Sequence, residues 1–413
     1  MGFFEGKHIL LGITGSIASF KAVDLASRLT KAGAAVDVIM TEAAQRFVMP
    51  LSFRSVTGRK VYLDMWEADE DIQHIALAEW ADVFVIAPIT ANTLAKIAHG
   101  LADNLLSLTA LASRCPLIAA PAMDVGMYSH PSTQANVRTM IERGVTIVGP
   151  VEGRMASGQS GIGRMVEPAY LESAIRYRLG RGGPLEGVQV LVTAGPTRES
   201  IDPVRYLSNR SSGKQGYALA QAALDLGAEV TLVSGPVHLD NPVGANVIPV
   251  NSAIDMQAAV DENIDSTDIL LMSAAVADFR PAEALTSKLK KDELEDQALS
   301  LSLVGNPDIL KEIGKRRAGG GRPNIVLGFA AETDNLIQNA EHKLRGKNLD
   351  FIAVNDVSRA DRGFSVDDNR VTLISADGSL SELPLSSKEG IARKVLEVAA
   401  EEFLRRRRDE NNG

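Results

Sequence analysis

The chain has 413 residues, 45% hydrophobic and 23% charged, with a net charge of −9 and a single cysteine, Cys115. At roughly 100–200 residues per domain, this length predicts two or three domains, and the acidic balance argues against a general nucleic-acid binder. One cysteine excludes an intrachain disulfide and a thiolate zinc cluster. No uncharged apolar run approaches the ~18 residues of a membrane span. The N-terminus lacks the basic region and cleavage site of a signal peptide. A cytoplasmic protein without membrane or nucleic-acid partners is therefore expected, and a reducing compartment suits the lone thiol.

In chain order, KHILLGIT (7–14), AVDVIMT (35–41), DVFVIAPIT (82–90), PLIAAPAM (116–123) and VTIVGP (145–150) predict buried strands. Helices are predicted over Ser16–Lys31 and Ala91–Ala112, with Gly33 as a C-cap. The glycine-rich stretch LGRGGPLEG (179–187) interrupts this alternation. It predicts a linker at 181–186 between a first domain over 1–180 and a second over 187–413. GVQVLVTAGPT (187–197), AEVTLVSGP (228–236), TDILLMSAAVAD (267–278), NIVLGFAAET (324–333), DFIAVNDV (350–357) and RVTLISADG (370–378) then resume the strand pattern. Apolar strands alternating with helices predict an α/β fold of two tandem doubly wound, mostly parallel-sheet, Rossmann-like domains. In such sheets, ligands bind beyond the carboxyl ends of the strands. The basic run Arg405–Arg408 reads as a solvated tail or helix end.

In the first half, the turn TGSIAS (14–19) opens a helix. Its backbone N–H groups, with hydroxyls of Thr14, Ser16 and Ser19, could meet a phosphate. Thr41 and the APIT end (87–90) converge on the same edge, and His74 lies in a polar segment entering a helix, where its near-neutral titration suits a general base. The strings GITGSIASFKA, MTEAAQRFV, the His74 segment, APITANTLAKIAHGLADNLL, PAMDVGMY and GIGRM occur in order. Through them the first ~180 residues resemble the flavin-dependent cysteine decarboxylases. The resemblance implies bound FMN lined by Gly15, Ser16, Thr41 and Thr90, with His74 as base. It also implies oxidation of a cysteine thiol to a thioaldehyde, loss of carbon dioxide, and return of the electrons from reduced FMN. Two positions depart from the family pattern. Asp124 replaces an asparagine that helps hold the substrate carboxylate, which Asp124 would repel by like charge. Ser157 replaces a proton-donating cysteine, a far stronger acid, whose reference pKa is about 8.5. Cys115 precedes the strand of PAMD and is a poor substitute.

In the second half, VLVTAGPTRESIDPVRYLSNRSSGKQG (190–216) runs from a strand into a basic Gly/Ser loop. Arg205, Arg210 and Lys214 supply charge, and Ser211, Ser212, Gly213 and Gly216 allow close approach to phosphate. The spacing is not that of a Walker A loop. SAAVADFRP (273–281) offers small residues against a nucleoside, with Asp278 for a ribose hydroxyl or a metal. SKLKK (287–291) reads either as a solvated charged surface or as the mobile lysine loop that triphosphate chemistry needs. With NPDIL (306–310), GFAAET (328–333) and KNLDFIAVNDV (347–357), these strings resemble phosphopantothenate–cysteine ligases. The resemblance implies CTP with Mg²⁺, attack of the phosphopantothenate carboxylate on the α-phosphate, and displacement of CMP by the amine of cysteine. It places Asn209 on the acyl-cytidylate and Lys288 on a flap over the site. Ala274, Ala275, Asp278, Asp308 and Phe329 would meet the nucleotide, and Lys343 and Lys347 its phosphates. A homo-oligomer built on trimers, with the flavin between subunits, is inherited from the same resemblance.

The leading reading is thus a bifunctional enzyme making and then decarboxylating phosphopantothenoylcysteine. Its alternatives are a ligase carrying an inert flavin-binding half, motivated by Asp124 and Ser157, and a regulatory flavoprotein, which leaves the ligase strings unexplained. A plain NAD(P) dehydrogenase is weakened by the missing GxGxxG.

Overall fold

A computed structural model describes residues 2–66, 73–290, 299–332, 335–356 and 368–412. It divides into two compact units, Met1–Leu179 and Gly180–Gly413. Among the described residues no helix is long and apolar enough to cross a membrane.

In the first unit the strands are β1 (His8–Ile13), β2 (Ala35–Met40), β3 (Val61–Tyr62), β4 (Val83–Ile89), β5 (Leu117–Pro121), β6 (Thr146–Ile147), β7 (Val151–Arg154) and β8 (Ser160–Arg164). The first six form one sheet in the order β3-β2-β1-β4-β5-β6, parallel throughout. Every residue of β4 is buried, as required of a strand covered on both faces. The predicted helix over 91–112 is two helices, Ala91–His99 and Leu105–Ala112. Gly100, at φ 72°, caps the first in the left-handed region, and Asn104 starts the second with a capping box to Ser107. The predicted strand VTIVGP shrinks to Thr146–Ile147, because Gly149 at φ 82° and Pro150 turn the chain into the antiparallel hairpin β7–β8.

The second unit carries β9 (Gln189–Ala194), β10 (Arg198–Ser200), β11 (Tyr206–Ser208), β12 (Glu229–Ser234), β13 (Asn246–Pro249), β14 (Ile269–Met272), β15 (Phe279–Pro281), β16 (Leu303–Gly305), β17 (Ile325–Glu332), β18 (Phe351–Asp356), β19 (Asp368–Ser375) and β20 (Leu380–Ser387). Its main sheet runs β13-β12-β9-β14-β17-β18-β19-β20. It is parallel as far as β18, and β19 and β20 close the edge antiparallel. The expected class therefore holds, with an antiparallel extension. Leu191, Val233, Leu270, Val326 and Ile352, one from each of five strands, share the buried core with residues of the covering helices. Residues 181–187 form turns folded onto this unit: Leu185 is fully buried and donates its N–H to Leu226 O at 2.9 Å.

The basic run near the C-terminus does more than meet solvent. It lies on the helix Lys388–Asn412, and Arg406 reaches Asp350 Oδ1 at 2.8 Å and Glu402 at 2.7 Å. Hydrogen bonds from Arg405, and then from Arg406, hold the Glu402 carboxyl down at about 2.

Candidate functional sites

At the carboxyl edge of the first sheet, one buried side chain ties the ends of β1 and β4 together, and Thr41 ties the end of β2 to β1. Thr14 donates its hydroxyl to Pro88 O at 2.7 Å and accepts the Thr90 N–H at 3.0 Å. Thr41 N–H donates to Ile13 O at 3.0 Å, and its hydroxyl does so at 3.3 Å. Gly15, Ser16, Thr41 and Thr90 therefore stand on one edge. The expectation that Thr14 and Ser19 offer hydroxyls to a ligand is corrected. Thr14 is spent on the neighbouring strand, and Ser19, fully buried, donates to Thr14 O and Ser16 O at 3.0 and 2.6 Å. They shape the turn, while Ser16 keeps its own proton, its oxygen accepting from Ala18 N–H. Gly15 is required sterically: a Cβ there would stand 2.6 Å from that of Ala43. Around this turn Ile17, Phe20, Phe47 and Met49 remain exposed.

His74 is half-buried on the helix Gln73–Trp80, whose Leu77 enters the core beside Phe84 and Leu106. Among the described residues no hydrogen bond ties its ring to the Thr14–Ser19 turn. Asp124 and Ser157, by contrast, meet directly. Ser157, near the tip of the β7–β8 hairpin, donates its hydroxyl to Asp124 Oδ2 at 2.7 Å, while Asp124 Oδ1 accepts the Gly126 N–H at 3.1 Å. The hairpin seats flush on this loop. Met123 N–H donates to Gly163 O at 3.0 Å, and a Cβ on Gly163 would stand 2.3 Å from Met123 O. Cys115 precedes β5, at the amino end of the strands; burial pushes its thiol up, which makes it a weaker acid still.

In the second unit the order of the parallel strands reverses between β9 and β14, the point where open α/β sheets leave a crevice. The segment after β14 is strapped to the segment after β9. Thr193 Oγ1 accepts the N–H groups of Ser273 and Ala274, both at 3.2 Å. Thr197 Oγ1 accepts Ala277 N–H at 3.0 Å. Asn209 donates through Nδ2 to Val276 O at 2.9 Å. Gly216 lets the helix Lys214–Asp225 lie against β9, since a Cβ would stand 2.4 Å from Ala194 Cβ. The result is a cavity of about 420 Å³ lined by Asn209, Ala274, Ala275, Asp278, Asp308, Phe329, Lys343 and Lys347.

Lys347 is already paired there, its Nζ 2.9 Å from Asp308, and Asp308 also caps the helix Ile309–Ala318 by accepting Lys311 N–H. Lys288 is exposed and is not among the lining. Its neighbour Leu289 is held by Asp202 Oδ2 at 3.2 Å and Arg205 Nη2 at 2.9 Å. Burial would raise the Asp202 carboxyl, but the N–H groups of Val204, Arg205 and Leu289 outweigh it and hold the group below the ordinary carboxylate range. Residue 291 of the lysine loop and residues 333 and 357 of two strand strings lie outside the described residues.

Sequence reasoning missed Gln215, Asn355 and the buried Lys388, which line the same cavity. Among the described residues Gln215 Oε1 and Asn355 Oδ1 are buried without a hydrogen-bond partner, a cost normally offset by a ligand or water. Gln215 and Asn355 stand inside the strings 190–216 and 347–357 that carry the ligase resemblance, yet were not singled out there, and Lys388 lies in none of those strings. Lys388 comes from the start of the C-terminal helix, 173 positions from Gln215, whose Nε2 donates to its carbonyl at 3.5 Å. Among the described residues no group of three or more His, Cys, Asp or Glu could hold a metal unaided.

Known families match both halves. The Flavoprotein family matches residues 4–180, and the DNA/pantothenate metabolism flavoprotein C-terminal domain matches residues 185–403. The chain is similar to the coenzyme A biosynthesis bifunctional protein CoaBC of Bacillus subtilis (strain 168), at 45% identity over 402 residues, 96% of this chain and 97% of that one. It is equally similar to the protein of the same name from Vibrio cholerae serotype O1, at 45% identity over 409 residues, 98% of this chain and 100% of that one. A crystal structure of the C-terminal domain of a CoaBC protein, 39% identical, covers 54% of this chain and 98% of its own length with a TM-score of 0.45. The chain belongs to the bifunctional coenzyme A biosynthesis family, whose members join a flavoprotein decarboxylase and a ligase in one polypeptide.

Proposed function

We propose that the second half couples 4′-phosphopantothenate to cysteine through an acyl-cytidylate made from CTP, and that the first half decarboxylates the resulting phosphopantothenoylcysteine to 4′-phosphopantetheine. The observation that carries the ligase reading is the cavity gathering Asn209, Asp278, Asp308 and Lys343 at the reversal of strand order. Its backbone straps fix its walls, and such preorganised donors stabilise charge developing on a phosphate. Asn209 Nδ2 lies 2.9 Å from Val276 O and 3.4 Å from Ala275 O. That leaves Oδ1 to accept from the incoming amine and hold it against the acyl-cytidylate. Mg²⁺ fits here as an ion held mainly by triphosphate oxygens with one or two carboxylates, and Asp278 is the carboxylate of choice. The choice of CTP follows the family resemblance. Lys288 would act by closure of its segment, which Asp202 and Arg205 now tether.

For the first half, FMN fits the turn at 14–19. Ser16 and the start of the helix Ser19–Lys31 suit its phosphate, and the exposed Ile17, Phe20 and Phe47 suit its ring system. Bound FMN would supply the oxidation of the substrate thiol and its later reduction. His74 would take up the thiol proton. The Ser157–Asp124 bond supports an active decarboxylase over an inert one, because the two departures form one compensated pair. With the Ser157 hydroxyl and Gly126 N–H both directed at it, Asp124 repels a substrate carboxylate less than a bare aspartate would. Ser157→Ala should therefore raise the KM for phosphopantothenoylcysteine about 3–10-fold, roughly the net worth of one ordinary hydrogen bond, with ligation rates unaltered. An unchanged KM would remove the pair from the substrate site. We assign the enzyme to the cytoplasm as a trimer-based homo-oligomer acting on small molecules only.

Two assays on the purified protein test the whole reading. Pyrophosphate should appear only with CTP and phosphopantothenate together, CMP and the amide should follow only when cysteine is added, and carbon dioxide should leave phosphopantothenoylcysteine without nucleotide. Ligation without carbon dioxide release would return the first half to an inert scaffold.

A further inference from the structure

The helix Gln73–Trp80, which carries His74 in its first turn, has only eight residues. A helix so short is marginal by itself, so tertiary contacts decide where it lies. His74 and Trp80 are six positions apart, about 9 Å along the helix axis. The far end of the helix is therefore a lever on the position of His74.

That end is held by His8, the first residue of β1. The His8 N–H donates to Asp82 Oδ2 at 2.7 Å, and its carbonyl accepts the Asp82 N–H at 2.8 Å. These backbone contacts join β1 to the start of β4. The ring does something else. His8 Nδ1 lies 3.1 Å from Trp80 O, and since a carbonyl only accepts, Nδ1 carries the proton and donates. The imidazole also stacks on the Trp80 indole, with centroids 4.5 Å apart and planes inclined by 5°. Arg59 lies 5.0 Å from the centroid of the same indole. It is fixed in turn by both oxygens of Asp37 on β2, at 2.6 and 3.0 Å. Strand pairing uses only the backbone of His8, so its side chain is spent on the last residue of the helix.

We propose that His8 and Trp80 are positioning residues of the decarboxylation, locking the end of the helix Gln73–Trp80 and so fixing where its start presents His74. This rests on the reading of His74 as the base that takes the thiol proton, and it adds the groups that place that base. Neither residue touches the substrate. His8 stands at the amino end of β1, and Trp80 precedes the amino end of β4, whereas Gly15, Ser16, Thr41 and Thr90 stand at the carboxyl edge. A base must come within hydrogen-bond reach of the proton it removes, and a small displacement slows the reaction steeply. Substrate and flavin, held by other residues, are not affected by it.

The test compares His8→Ala and Trp80→Ala with the unaltered full chain. Each should lower kcat for carbon dioxide release about 10-fold or more, while the KM for phosphopantothenoylcysteine stays within about 2-fold. Flavin absorption and ligation rates should not change. His8→Asn, whose amide can still donate to Trp80 O, and Trp80→Phe, which keeps a ring beside the imidazole, should each restore part of kcat. An unchanged kcat in both alanine variants, or a fall matched by loss of flavin, overturns the proposal. Should the alanine variants fail to fold, His8→Asn and Trp80→Phe carry the test: a lowered kcat at constant KM supports it, and full activity in both sinks it. If the unaltered chain releases no carbon dioxide, the reading of His74 fails by itself. Hydrogen exchange over Gln73–Trp80 then decides the anchor: faster exchange in His8→Ala supports it, and identical exchange refutes it.

Discussion

Asn209→Ala should lower amide formation by at least about 100-fold, the cost of removing one preorganised polar group from a charge-stabilising site, while the flavin absorption of the same sample stays unchanged. The side chain has two tasks. It pins the phosphate loop to the β14 end through Val276 O at 2.9 Å, and it stands in the wall of the nucleotide cavity. Alanine removes both the tether and the acceptor. Asn209→Asp keeps the volume but brings a negative charge to a site for phosphates, so it should rescue little. Initial rates of pyrophosphate release, with and without cysteine, separate activation from amine attack. Wild-type turnover in Asn209→Ala would discredit the assignment.

Asp350→Ala should destabilise the second unit by about 3–5 kcal/mol, the range for removing one partner of a buried ion pair. Asp350 is 7% exposed and sits between two arginines, Arg317 at 2.7 Å and Arg406 at 2.8 Å. Its Oδ2 also accepts the Val326 N–H at 2.7 Å. Alanine would leave two guanidinium groups and a buried N–H without that acceptor. The helix Lys388–Asn412 would lose its anchor to the sheet at Arg406. Denaturant unfolding of the second unit, with hydrogen exchange along that helix, measures the effect. A loss below ~1 kcal/mol would show that water replaces the carboxylate, as it does for exposed pairs. Lys388 lies at the start of the same helix, so ligation should weaken before the unit unfolds.

The strand pattern was legible because parallel strands covered on both faces are nearly continuous apolar runs, as in β4. Elements set by turns were less so. The helix expected over 91–112 was divided by Gly100 and Asn104, whose capping works over one turn and disappears in an apolar window. β20 escaped notice because it is an edge strand, mostly exposed and without apolar alternation.

The loop strings named most of the ligase cavity, since small, basic and acidic residues at strand ends are visible in one dimension. They did not reveal Gln215, Asn355 or Lys388, which reach the cavity through packing alone. Likewise Asp124 and Ser157 looked like two independent losses until the hairpin brought them 2.7 Å apart.

By itself, the amino-acid sequence determined the α/β class, the two-part organisation and the chemical types at each strand end, because these follow from local periodicity and composition. Only the tertiary structure decided which hydroxyls are spent inside the fold and which charges pair with one another. Hydrogen bonds and ion pairs join residues tens to hundreds of positions apart, as Thr14 joins Thr90, and no spacing along the chain encodes the direction in which a side chain points.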